Sequence, residues 1–167
     1  MTFKNSARKA LICFVATAAC GTAGVQAKEA SSVAKVQESG LDAAIQARYS
    51  AVEKMVNSGA PADDVGRALY WPNVIVTGQG ADKVSHGLDQ LQPVLAAVLK
   101  DLGTHCKFIV KDPQAQSGGL AAVFSQLTCK AAVAGQPDIN LRLLYVWERR
   151  GNDWKVVREM YSEGAMN

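Results

Sequence analysis

Chemistry-bearing side chains gather near the C-terminus, where Tyr145 and Trp147 alternate along one run and Lys155, Val157, Glu159 and Tyr161 along the next. Successive side chains of a strand point to opposite faces, so each set is expected to share one face of its strand. A carboxyl walled by aromatic rings loses water, which disfavours its charged form and suits it to proton transfer near neutral pH. Glu159 is therefore the candidate acid/base, against the alternative of a solvated or Lys/Arg-paired strand glutamate. Tyr49 and the other tyrosines have the chemistry to donate to a developing oxyanion, against the alternative that they are simply core.

The remaining reactive types exclude several classes. The two histidines, His86 and His105, stand far apart with no ligand-like spacing, so no metal is expected. Gly78-x-Gly80 is followed by Lys83 where a phosphate loop needs its third glycine, so it reads as a hairpin turn. No G-x-S-x-G elbow occurs. Lys107, Lys111 and Lys130 form a mild basic stripe of the kind that discourages strand addition at an edge.

The elements that must position these residues are legible from periodicity. Ser39 with Asp42 resembles a capping box, and Leu41, Ile45, Tyr49, Val52 and Val56 recur at helical spacing up to Gly59. A second, shorter helix is expected from Pro61 to near Tyr70, with Asp63 and Asp64 at its positive end. Trp71 to Thr77 reads as a strand, with a short partner near Lys83 to His86. Leu88, Leu91, Leu95, Val98 and Leu102 mark a third helix that tolerates Pro93 near its first turn. Four β-rich runs follow, at 104–112, 120–133, 138–149 and 153–162. The expectation is an α+β domain, with three helices covering one face of a curved antiparallel sheet.

Facing residues of an antiparallel pair have a constant index sum, and setting Cys106 opposite Cys129 centres the turn between Ser117 and Gly118, where the turn residues stand. A cross-strand disulfide Cys106–Cys129 is expected, with two buried thiols as the alternative.

The stretch Tyr145-Val146-Trp147-Glu148-Arg149-Arg150-Gly151-Asn152-Asp153-Trp154, continuing to Gly164, resembles the final hairpin of the nuclear transport factor 2-like superfamily. The resemblance is to SnoaL-like proteins and the association domain of calcium/calmodulin-dependent protein kinase II, and Val146, Trp147, Arg149, Arg150, Trp154, Val157 and Ser162 carry it. The order of elements agrees over residues 39–164. The resemblance implies a cone-shaped fold, a pocket between the helices and the concave sheet face, and a homodimer through the opposite face. It places Tyr49, Gln126, Tyr145, Trp147, Glu159 and Tyr161 in that pocket. Tyr145, Tyr161 and Gln126 stand where the kinase domain has pocket arginines, so its anion-receiving pocket is not inherited. No cofactor is expected. The function implied is binding of a small hydrophobic or amphipathic molecule. Its alternatives are a ketosteroid-isomerase-like isomerase or dehydratase using Glu159, and a non-catalytic periplasmic interaction or assembly module.

The N-terminus bears on where such a domain works. Lys4, Arg8 and Lys9, the apolar run Ala10 to Cys20, and Val25-Gln26-Ala27 follow the order of a cleavable signal peptide. A membrane anchor needs about 20 apolar residues, more than this run supplies; a lipoprotein cleavage at Cys20 is a minor alternative. The expected organisation is a signal peptide at 1–27, a flexible polar arm at 28–38 and the domain at 39–167, in a periplasmic or secreted protein. Removing Lys4, Arg8 and Lys9 from the 18 Lys and Arg leaves 15, which balances the 15 Asp and Glu, all beyond residue 27. The exported domain is thus formally neutral, and a nucleic-acid partner has no electrostatic support.

Overall fold

The computed structural model describes residues 23–102, 105–111, 115–131 and 133–166. Most of the expected signal peptide, including Cys20, lies outside the described residues. The folded domain lies within the unit that begins at Val36.

Helix α1 spans Ala23–Asn57, α2 Ala62–Leu69 and α3 Leu88–Asp101. The strands are β1 Tyr70–Gly78, β2 Ser85–His86, β3 Lys107–Val110, β4 Ala115–Ser117, β5 Leu120–Cys129, β6 Ile139–Arg150 and β7 Asp153–Glu163. The stripe read on the first helix is its core face, with Leu41, Ile45, Tyr49 and Val52 all buried. That helix begins upstream of the expected cap at Ser39 and runs through the segment assigned to a flexible arm. Ala, Val, Lys, Glu and Gln dominate that segment and no proline interrupts it, so nothing local ends the helix.

The strands form one sheet in the order β2-β1-β7-β6-β5-β3, with β4 also paired to β5. One pairing corrects the all-antiparallel expectation: β1 runs parallel to β7. A parallel neighbour requires a long crossover, and here everything between β1 and β7 supplies it. The index sum inferred from the cysteines holds along the β3–β5 ladder, where Lys107 faces Thr128 and Val110 faces Ser125. The β4–β5 ladder shifts by two, Ser117 facing Leu120, so the turn itself is Gly118-Gly119.

Edge strand β3 is held by helix α1. Asn57 accepts from the Cys106 N–H at 2.7 Å and donates to its carbonyl at 3.1 Å, while Glu53 accepts from the Phe108 N–H at 2.6 Å. Side chains thus occupy backbone groups that would otherwise be open to another strand. The disulfide Cys106–Cys129 closes the same corner, with the two Cα atoms 4.0 Å apart.

Candidate functional site

A β-bulge decides which residues of β7 face the helices. Trp147 pairs with Val156 but Val146 pairs with Arg158, so Val157 is the extra residue. Before the bulge Trp154 and Val156 point inward; beyond it Glu159 and Tyr161 do, opposite Tyr145 and Leu143. The expected grouping of Lys155 with Glu159 therefore fails. Lys155 faces Glu148 and donates to the Arg67 carbonyl at 2.8 Å.

Glu159 retains some surface, but its carboxyl reaches a cavity of about 80 Å³ under α3. Val52 and Val56 of α1, Leu69 of α2, Leu95 and Leu99 of α3, and Phe108 and Leu143 of the sheet supply its hydrocarbon wall. The Tyr70 hydroxyl donates to Glu159 Oε2 at 2.5 Å. Tyr145, the register partner of Glu159 on β6, lines the same cavity. Loss of water raises the Glu159 pKa from 4.5 to about 7, and the bond from Tyr70 partly offsets that rise. Burial, and next the nearby Glu159 charge, raise the pKa values of Tyr70 and Tyr145, which stay neutral donors. The arrangement combines a carboxyl poised between its two protonation states with a hydroxyl bonded to it, the groups that proton transfer to and from carbon or oxygen requires.

The other expected site residues separate into three places. Tyr49 and Trp147 form the layer beneath the cavity: Tyr49 stacks on Phe108 at 4.5 Å and meets Trp147 edge-on at 5.5 Å. The Tyr49 hydroxyl is bonded to Ser125 Oγ at 2.6 Å, and the Trp147 indole N–H faces that hydroxyl without a formed hydrogen bond. Tyr161 lines a separate, more open cleft of about 580 Å³ between β2, α3 and the 79–84 turn.

Gln126 is not in the cone. The inward residues of β5 are Ala121, Val123, Ser125 and Leu127, so Gln126 falls on the opposite face. There it donates to Thr128 and Asn140 and accepts from the Met166 N–H at 2.9 Å. The position implied by the resemblance is one residue out of register, which in a strand exchanges faces.

Tyr70 is absent from the expected set, because the sequence reads as the end of a helix there. Its only sequence signal is an aromatic residue opening a β run, and its partner lies 89 residues away.

No family model matches the chain, and no curated protein matches its sequence. Solved structures do match in shape. A ketosteroid isomerase-like protein from Erwinia carotovora atroseptica is 21% identical, covering 74% of this chain and 96% of its own, at a TM-score of 0.58. A nuclear transport factor 2-like protein of unknown function from Shewanella oneidensis is 21% identical, covering 72% of this chain and 98% of its own, at 0.57. A nuclear transport factor 2-like superfamily protein from Salmonella enterica serovar Typhimurium is 18% identical over 82% and 94%, at 0.52. At these identities the likeness is one of fold, and together with the helix–sheet order it gives the chain its place: an α+β protein of the nuclear transport factor 2-like fold.

Proposed function

We propose that this chain is an exported small-molecule-binding domain whose ligand meets Glu159, and that Glu159 acts there as an acid/base. The observation that supports this reading is the Tyr70–Glu159 hydrogen bond, with Tyr145 beside it, at the wall of an otherwise hydrocarbon cavity. A structural glutamate in a sheet is usually solvated or paired with a cation; this one has a tyrosine partner. Isomerisation or dehydration of a compound with an acidic C–H next to a carbonyl is the reaction type that suits one carboxylate with hydroxyl donors beside it. Export is supported by the order of charge, apolar run and small residues before residue 28, and by an even cysteine pair.

Deuterium exchange from solvent next to the carbonyl of a small cyclic ketone tests the acid/base role. Exchange by the wild-type protein that disappears in Glu159→Gln supports it; equal rates in both, or no exchange above buffer, reject it.

A homodimer through the outer sheet face is the second part of the proposal. Ile109, Phe124 and Met160 are 39%, 44% and 57% exposed there, a density of large apolar side chains typical of interaction surfaces. This face also favours the reading as an assembly module. Sedimentation velocity of the wild type and of Phe124→Asp/Met160→Glu tests it: a dimer is expected for the first and a monomer for the second.

A further inference from the structure

The cavity at Glu159 is too small for a whole ligand. Its volume of about 80 Å³ lies well below the roughly 300–1,000 Å³ that small-molecule sites span. The cleft of about 580 Å³ falls within that range, and residues that line it neighbour residues that line the cavity. Glu159 pairs across β1 with Val76, and Tyr161 is the next inward residue of β7; both Val76 and Tyr161 line the cleft. On the helix side, Val94 lines the cleft and Val98 the cavity. One turn apart on the same face, they are 42% and 38% exposed.

We infer that the cleft and the cavity are two halves of one site, which takes an uncharged, elongated amphipathic molecule with the end that carries the acidic C–H toward Glu159 and a second, hydrogen-bonding end in the cleft. This rests on the reading of Glu159 as the ligand-facing group. Between the two ends, Val76, Val84 and Val94 of the cleft give the apolar body of the molecule a surface to cover. The polar end meets neutral groups: Ser85, Thr77 and Gln90, whose Oε1 already accepts from the His86 N–H at 2.9 Å and leaves its amide to donate. The only charges on the lining, Asp82 and Lys83, are adjacent and opposite, so the cleft carries no net field for an ion. A hydroxyl or carbonyl end group fits this lining better than a carboxylate or phosphate, which would meet Asp82 and the Glu159 carboxylate without a compensating excess of cations.

The matched probes N-phenyl-1-naphthylamine and 8-anilino-1-naphthalenesulfonate share their aromatic rings and differ by a sulfonate, so they separate shape from charge. Fluorescence titration of the wild-type protein is expected to show saturable binding of the uncharged probe, ~tenfold tighter than the anionic one. Val94→Trp and Ser85→Trp, which fill the cleft from opposite walls at sites with side-chain exposure, are each expected to weaken the uncharged probe by about tenfold or more with thermal unfolding unchanged. If both variants bind it as the wild type does, the cleft is not part of the site. If the anionic probe binds equally well, or the uncharged one does not bind, the ligand class is wrong. The exchange test compares the wild type with Glu159→Gln alone, so the acid/base reading stands or falls separately.

Discussion

The Tyr70 hydroxyl donates to Glu159 Oε2 at 2.5 Å, joining the first residue of β1 to the inward face of β7. Because β1 is parallel to β7 and the bulge at Val157 turns Glu159 inward, the bond depends on the two least regular features of the sheet. It gives this inward carboxyl a neutral donor and, among the described residues, no cation, and the protonation of that carboxyl is coupled to folding.

The coupling has a definite sign. The folded-state pKa of Glu159 is about 7 and its ordinary value is 4.5. Between those values the folded chain holds a proton that the unfolded chain has released, so stability is full below pH 4.5 and falls as pH rises through 7. Because Glu159 retains some surface, the loss is at most ~3 kcal/mol, each tenfold change in acidity between the folded and unfolded chain being worth about 1.4 kcal/mol. Urea unfolding at pH 5 and pH 8 is expected to show the decline in the wild-type protein, while Glu159→Gln shows little. An equal decline in the variant would assign it to other groups.

Removing the partner moves the titration in a known direction. The Tyr70 bond stabilises the ionised carboxylate and so lowers the Glu159 pKa. Tyr70→Phe is expected to raise the midpoint above 7, read from the chemical shift of the Glu159 side-chain carboxyl carbon. It should also cost roughly 1–3 kcal/mol at pH 8, where the buried carboxylate loses its donor. A downward shift would mean that the hydroxyl does not act on the charged form.

What the amino-acid order reveals, and what it conceals, follows the range of the interactions. The α1 stripe at Leu41, Ile45, Tyr49 and Val52 is local and legible directly. The β3–β5 register is legible because two cysteines mark one cross-strand pair and a glycine turn marks the fold-back. The bulge at Val157 leaves no such mark, so simple alternation groups Lys155 with the inward residues. The pairing of β1 with β7 is set by packing of the whole domain, and Tyr70 therefore has no partner visible in the sequence. Glu159 is legible because it stands within a recognisable strand run, but alternation does not show that Tyr145 lines the cavity while Tyr161 lines the cleft.

The disulfide contributes to the site as well as to stability, since Cys106 both lines the cavity and is clamped by Asn57. Its 23-residue separation corresponds to ~3 kcal/mol of lost unfolded-chain entropy. The double variant Cys106→Ser/Cys129→Ser is expected to lose about that much in denaturant unfolding under oxidising conditions. Reductant should have no further effect on the variant, while lowering the wild type toward it. A wild-type protein that alkylates at both cysteines without reductant would show that the bridge does not form.

Gly78 and Tyr161 form the last testable pair. They are register partners across β1 and β7, and a Cβ placed on Gly78 would stand 2.5 Å from the Tyr161 ring. The ring therefore lies across bare backbone, where it forms a wall of the cleft, and any side chain at position 78 must displace it. Gly78→Val is expected to cost roughly 1–3 kcal/mol through this overlap, even though valine is otherwise favourable in a strand. Tyr161→Ala should lose the buried part of the ring alone. In Gly78→Val/Tyr161→Ala the overlap is gone, so the double variant should be more stable than the sum of the two single losses by about 1 kcal/mol or more. Chemical denaturation of the four proteins measures this coupling. Strict additivity would show that the ring is free to leave Gly78, and that the cleft wall at Tyr161 is not fixed by the glycine.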